Sequence, residues 1–261
     1  FVIKEELKTS LNNGVYEIIL NRPEVFNSFN QSMAFSLQKE LDFCAENDEV
    51  RVVVISGTGK AFCAGQDLAE ATDPNGPELN CIVKEHYNPI ILKIRNLEKP
   101  VIAAVNGVAA GAGANIALAC DITIAHEKAS FIQAFSKIGL IPDSGGTYFL
   151  PRIIGIQKAL SLMITGDKVS AKEAEVLNMI YKCVDADTYE TEVSRLAIQL
   201  SEMPTKAFGL TKRAVNQSYS NSLQEQLDLE EKLQTEAGNT EDFKEGVQAF
   251  LEKRKAKFRG K

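Results

Sequence analysis

Apolar and polar positions alternate along FVIKEELKT and again along VYEIIL, with Asn12-Asn13-Gly14 between them. Alternation of this kind marks half-buried strands, and Asn-Gly supplies the positive φ angles of a tight turn, so residues 1 to 20 are expected to form a hairpin. After Asn21-Arg22-Pro23 the spacing lengthens. Met33, Leu37, Leu41 and Cys44 fall at helical intervals and predict a helix over 31 to 46, and RVVVISG then reads as a buried strand ending at Gly57. The alternation continues with a helix over about 80 to 97, a stop at Pro100, the strand VIAAVNG, a glycine-rich turn, a short apolar helix near 114 to 119 and the strand DITIA. Strands that alternate with helices imply a largely parallel sheet covered by helices.

Beyond about Leu160 the pattern is helical almost throughout. Ser170-Ala171-Lys172-Glu173 matches a capping box, and Pro204 separates two amphipathic runs. The helices expected between about 187 and 256 carry charge on one side and Leu223, Leu227, Leu233, Phe243, Val247, Phe250 and Leu251 on the other. Such stripes need cover, from their own core or from a neighbouring subunit. DPNGPELN, residues 73 to 80, is the best candidate for a mobile surface loop.

With 44% hydrophobic and 25% charged residues, the 261-residue chain has the composition of a globular protein with a large core. A net charge of -6 provides no basic field, so neither nucleic acid nor a membrane surface is an expected partner. The five cysteines, Cys44, Cys63, Cys81, Cys120 and Cys183, form no Cys-x-x-Cys pair and read as reduced core residues. No apolar run reaches the roughly 18 residues of a membrane span, and the opening strand lacks signal-peptide character, so a cytoplasmic location is expected.

Three turns of small residues are candidates for chemistry: 61 to 68 (AFCAGQDL), 107 to 113 (GVAAGAG) and 142 to 147 (PDSGGT). Small side chains admit a ligand to backbone amides, and two amides at one point can hold a developing oxyanion. Asp143 is the one carboxylate in these turns beside an expected helix start, and it reads either as a base or as a helix cap. GAGANIA is a weak match to a dinucleotide fingerprint, because the third glycine and a suitably placed acid are missing. His86 and His126 lack a triad-like context and read as surface or packing residues, no cluster has metal-ligand spacing, and Asp67 reads as ordering its own turn. The basic tail KRKAKFRGK is either a solvated helix end or a source of cations for an anionic ligand.

Taken in order, the three turns together with LNRPEVFNSFN near the start resemble the crotonase (enoyl-CoA hydratase/isomerase) superfamily over essentially the whole chain. The resemblance implies an α/β fold, a crotonase-like ββα spiral core with a helical C-terminal region. It implies a core over 1–195 that carries the coenzyme A and catalytic site, and a helical oligomerisation region over 196–261. It further implies a trimer or hexamer, an acyl-CoA substrate and no separate cofactor, since coenzyme A belongs to the substrate. Association with another enoyl-CoA hydratase of the same pathway is a further expectation.

Carried over residue by residue, the resemblance assigns the oxyanion amides to Ala64 and Ala112, although the family usually has glycine at the latter position. It assigns coenzyme A contacts to Arg22, Ala64, Gly65, Gln66, Asp67 and Leu68, and to Phe258 and Lys261 in the tail. Hydratases of the family carry glutamates where this chain has Asn115 and Phe135, so two-glutamate hydration is not expected. The acid is instead Asp143, as in family members that isomerise acyl-CoA thioesters. The segments YNPI, AFSKIGLIPDSGGT and QLDLE are similar to the branch that acts on a ring epoxide of phenylacetyl-CoA. Enolate chemistry with Asp143 as base, in an apolar pocket near Phe135 that raises its pKa, is the expected mechanism. Δ3–Δ2-enoyl-CoA isomerisation and enoyl-CoA hydration are the alternatives.

Overall fold

The computed structural model describes residues 5–261, so the first four residues of the expected hairpin lie outside the described residues. Strands β1 (Leu7–Asn12) and β2 (Val15–Leu20) pair antiparallel with Asn12 opposite Val15. Asn13 and Gly14 both take positive φ, 51° and 78°, as a two-residue turn requires. Helix α1 (Gln31–Glu46) follows, capped by Asn30, whose side chain accepts from the Met33 amide. It buries Met33, Leu37, Leu41 and Cys44.

From there the chain winds as a spiral in which each turn gives one strand to each of two sheets. β3 (Val52–Gly57) leads into β4 (Ala61–Cys63), β5 (Val101–Val105) into β6 (Val108–Ala110), and β7 (Ile122–His126) into β8 (Ser130–Ile132). β9 (Lys168–Ser170) and β10 (Lys182–Val184) complete the sheets, one in the order β1-β2-β3-β5-β7-β10 and the other β4-β6-β8-β9. From β2 to β10 the larger sheet is parallel. It is buried on both faces, with Ile18, Ile55 and Ala103 in one cluster and Val52, Val54, Ile102 and Ile124 in another. Burial on both faces explains why these strands read as continuous apolar runs.

Short helices α2 (Leu68–Ala71) and α3 (Leu79–Cys81) precede a π-helical stretch, Ile82–Tyr87, that continues into α4 (Asn88–Asn96). The single helix expected over 80 to 97 is thus present, with a widened turn that the spacing does not reveal. Pro89 has no N–H for the Glu85 carbonyl one turn back, which leaves that carbonyl to a partner from elsewhere in the chain. Gln38 Nε2 donates to that carbonyl at 2.7 Å and to the His86 carbonyl at 3.1 Å, while the Asn88 amide reaches five residues back to Val83. Within the expected loop, the amides of Asn75 and Gly76 turn back onto Asp73.

Helices α5 (Ala112–Ala119), α6 (Gly146–Ile154), α7 (Ile156–Thr165) and α8 (Ala171–Val176) pack around the spiral, α8 with the expected capping box of Ser170 and Glu173. The tail comprises α9 (Tyr189–Ser201), α10 (Thr205–Ser218), α11 (Leu223–Gly238) and α12 (Glu241–Glu252). β9 and β10 interrupt the helical run expected beyond Leu160. A boundary at 195/196 falls inside α9, whose Val193 and Ala197 both pack on the larger sheet. Farther along, Leu223 (77% exposed) and Phe250 (82%) leave the apolar stripes of α11 and α12 largely uncovered within this chain.

Candidate functional site

β4, β6 and β8 are parallel neighbours, so the segments leaving their C-terminal ends converge. The segment after β4 turns at Gly65, at φ +94°, where a Cβ would stand 3.0 Å from the Ala110 carbonyl oxygen and 3.4 Å from the Ala112 nitrogen. Gly113, at the start of α5, packs against β4 so tightly that a Cβ would stand 2.3 Å from the Cys63 carbonyl oxygen. Only glycine permits either approach.

The hydrogen bonds show which amides of these turns remain free. The Ala64 N–H donates to the Phe26 carbonyl at 3.0 Å, so the assignment of Ala64 as an oxyanion donor is corrected: its amide is already used. Phe29 clamps the next stretch, its N–H donating to the Gly65 carbonyl at 2.7 Å and its carbonyl accepting from the Asp67 amide at 2.8 Å. Between these bonds the Gln66 N–H has no partner among the described residues. Ala112, first residue of α5, likewise has no carbonyl one turn back to accept its N–H. Gln66 and Ala112 therefore each present a free amide where the two turns meet, the Ala112 nitrogen standing 3.4 Å from a Cβ built on Gly65.

Asp143 stands at the third turn. The N-cap of α6 is Gly145, so the Asp143 carboxylate is not a helix cap. Its Oδ1 accepts from Ser144 Oγ at 2.8 Å, and its backbone carbonyl accepts from the Gly146 amide at 2.8 Å and from Asn115 Nδ2 at 2.9 Å. Burial pushes the carboxyl above the usual aspartate range, with the Ser144 hydroxyl pulling the other way. Asn115 is fully buried and tied through Oδ1 to Gln133 Nε2 at 2.7 Å. Phe135, also buried, lies over the Gly111 turn, where a Cβ would sit 3.8 Å from its ring.

The residues expected to grip coenzyme A divide into two groups. Gly65, Gln66, Asp67 and Leu68 line the turn beside the free amides, and Leu68 is 54% exposed at the start of α2. Asp67 caps α2 through the Ala69 amide at 3.0 Å, as its turn-ordering reading anticipates, and accepts from Arg22 at 2.8 Å. Arg22 also donates to the Ser28 carbonyl at 2.6 Å, so its guanidinium ties two turns together and is not a free cation.

Phe258 and Lys261 are not brought to this site. Phe258 packs by Gly246, Lys261 accepts from the Asp242 amide at 3.0 Å, and Asp242 receives the Arg259 and Gly260 amides at 2.6 and 2.7 Å. Gly260 abuts Arg51, just before the first residue of β3, whereas the turns above leave the opposite ends of their strands.

Both histidines pack as expected: His86 is buried edge-on to Phe35 with burial lowering its pKa, and His126 accepts from the Lys128 amide. Among the described residues no group of three His, Cys, Asp or Glu side chains is placed to hold a metal, and no helix is long and apolar enough to cross a membrane. All five cysteines are free thiols, three of them buried.

Sequence comparison gives this geometry a context. Residues 10–261 match the family description enoyl-CoA hydratase/isomerase. The chain belongs to that family. Its fold is accordingly the crotonase fold, an α/β ββα spiral with a helical C-terminal region, and it is an enzyme of CoA thioesters. This hydratase/isomerase family member is 45% identical to the 1,2-epoxyphenylacetyl-CoA isomerase of Escherichia coli K12 over 98% of its own length and 99% of the relative's. It is 38% identical to the trans-2-decenoyl-[acyl-carrier-protein] isomerase of Streptococcus mutans, over 98% and 99% of the two chains. The solved enoyl-CoA hydratase of Bacillus anthracis superposes with a TM-score of 0.91 at 32% identity, covering 98% of this chain and 100% of that one.

Proposed function

We propose that the chain isomerises acyl-CoA thioesters through an enolate, with Asp143 as base and the Gln66 and Ala112 amides holding the thioester oxygen. The observation that carries this reading is the pairing of one partly buried, uncapping carboxylate of raised pKa with two free amides on adjoining turns. The positions at which the family's hydratases carry glutamates hold Asn115, spent on the Asp143 turn, and Phe135. A single carboxylate suits shuttling a proton within one molecule better than adding water. In the proposed step the α-proton passes to Asp143 and the C–H electron pair moves to the oxygen held by the amides. In both readings the proton then returns from Asp143 to the γ-carbon; for the ring epoxide the bond between the two epoxide carbons also breaks while both C–O bonds are kept, so the ring expands with no net loss of atoms.

The preferred substrate is a ring-1,2-epoxide of phenylacetyl-CoA, converted to the oxepin thioester. The named activity of the Escherichia coli relative supports this choice. Isomerisation of a 3-enoyl thioester to the 2-enoyl form is the second reading, supported by the isomerase from Streptococcus mutans. Residues 65 to 68 are proposed to receive the coenzyme A portion, with homotrimeric or hexameric assembly covering the stripes of α11 and α12. The test is turnover of epoxyphenylacetyl-CoA beside a 3-enoyl-CoA, by wild type and by Asp143→Asn. Epoxide turnover that falls about 100- to 10,000-fold in the mutant is the expected result. Turnover of the 3-enoyl thioester alone selects the second reading, and an active mutant removes Asp143 from the mechanism.

A further inference from the structure

Tyr87 touches the proposed oxyanion turn from behind, and nothing in the enolate mechanism uses it. Its ring is 1% exposed and meets Phe29 edge-on at 5.9 Å, and Phe29 is the residue whose backbone clamps the turn on both sides of Gln66. Its hydroxyl donates to Gln66 Oε1 at 2.8 Å. The other end of that amide side chain donates to Glu70 Oε2 at 3.2 Å, and Glu70 in turn accepts the Gln31 amide at the start of α1. A residue whose side chain is held at both ends has little freedom to rotate its own N–H.

The helix that carries Tyr87 also reaches the acid. One turn further on, Ile91 lies against the Asp143 turn, where a Cβ on Gly145 would stand 3.6 Å from Ile91 Cγ2. Residues four apart share a helix face, so one rigid face contacts both the amide turn and the carboxylate turn. Tyr87 is the last residue of the π-helical stretch, and a widened turn changes the direction in which the residue closing it points.

We infer that Tyr87 is a positioning residue: through Gln66 it holds the oxyanion amide in line with the Ala112 amide, and through its helix it fixes that pair relative to Asp143. Burial raises the phenol's pKa well above its usual value, which favours the protonated, donating form. The inference rests on the enolate reading above.

The experiment follows exchange of the α-protons of phenylacetyl-CoA in D2O by wild type, Tyr87→Phe, Gln66→Leu and the double variant. Tyr87→Phe keeps the ring and removes only the hydroxyl. It is expected to lower the exchange kcat about tenfold with KM within about twofold, a fraction of the 100- to 1,000-fold loss seen when an oxyanion donor is deleted outright. Gln66→Leu should reproduce this loss, and the double variant should be no slower than either single one, because all three break the same link. Wild-type exchange with an unchanged kcat in Tyr87→Phe overturns the inference alone, as do losses that multiply in the double variant. Absence of exchange in the wild type overturns the enolate reading and this inference together.

Discussion

Asn115 holds the Asp143 turn by its main chain: Nδ2 donates to the Asp143 carbonyl at 2.9 Å while Oδ1 accepts from Gln133 at 2.7 Å. The bond to Gln133 is buried and the one to Asp143 partly so, and a Cβ on Gly146 would collide with the Asn115 side chain at 2.3 Å. Asn115→Ala should cost about 1–3 kcal/mol in urea denaturation, since it leaves a buried donor unpaired. It should also lower α-proton exchange, because the carboxylate loses its support. Wild-type stability in the variant would show that the turn holds itself.

The pH dependence follows from the direction of the Asp143 shift. A base must be ionised, so kcat/KM should rise as pH passes through the raised Asp143 pKa, placing the acidic limb above the usual aspartate range. Ser144 hydrogen-bonds the charged form, so Ser144→Ala should move that limb to still higher pH. Stability runs the opposite way. With the folded pKa above the unfolded one, the folded state binds the proton more readily, which favours folding below the unfolded value and is lost as pH rises through the folded pKa. A pH–rate series on both proteins checks the limb, and a shift of the mutant limb to lower pH would contradict the hydrogen-bond assignment.

Gly65→Ala tests the approach of the two turns. At φ +94° and 3.0 Å from the Ala110 carbonyl, an added methyl group must push the turns apart. Turnover should fall about 100-fold or more, as for loss of an oxyanion donor, while circular dichroism retains the native fold. Turnover close to wild type would mean that the amides of Gln66 and Ala112 do not act as a pair.

Arg22 and Asp67 tie the segment before α1 to the turn before α2, with side chains 16% and 14% exposed. Arg22→Ala strands Asp67 and the Ser28 carbonyl, at a cost of about 2 kcal/mol, below that of a fully buried pair because both ends touch solvent. KM for the thioester should rise more than kcat falls, because Asp67 and Leu68 then lose their fixed position. Equilibrium denaturation and steady-state kinetics on the same preparation separate these effects.

Legibility in the sequence followed element length and locality. Helix α1 is readable because four apolar residues repeat at its period and Asn30 caps it. The three-residue strands β4, β6, β8, β9 and β10 are too short to display a period, and their partners lie far away in the chain. The widened turn at Ile82–Tyr87 depends on Gln38, more than forty residues earlier, which local pattern does not reveal. Asp143 is visible as an acid among small residues. The choice between Ala64 and Gln66 is not, because it depends on which amide Phe26 and Phe29 leave unpaired. Where Phe258 and Lys261 lie within the chain is not legible for a related reason: docking on Asp242, and not their spacing, decides where the tail goes.

The alignment of β4, β6 and β8 has a consequence for how such a protein diversifies. The grip proposed for the thioester belongs to the main chain and survives most exchanges of side chain, provided the glycines stay. The groups that would choose the fate of the bound molecule are single side chains near the ends of neighbouring strands, at 115, 135 and 143. Retention and reactivity are thereby encoded separately, so a few point changes can redirect the reaction while the hold on the substrate is inherited intact.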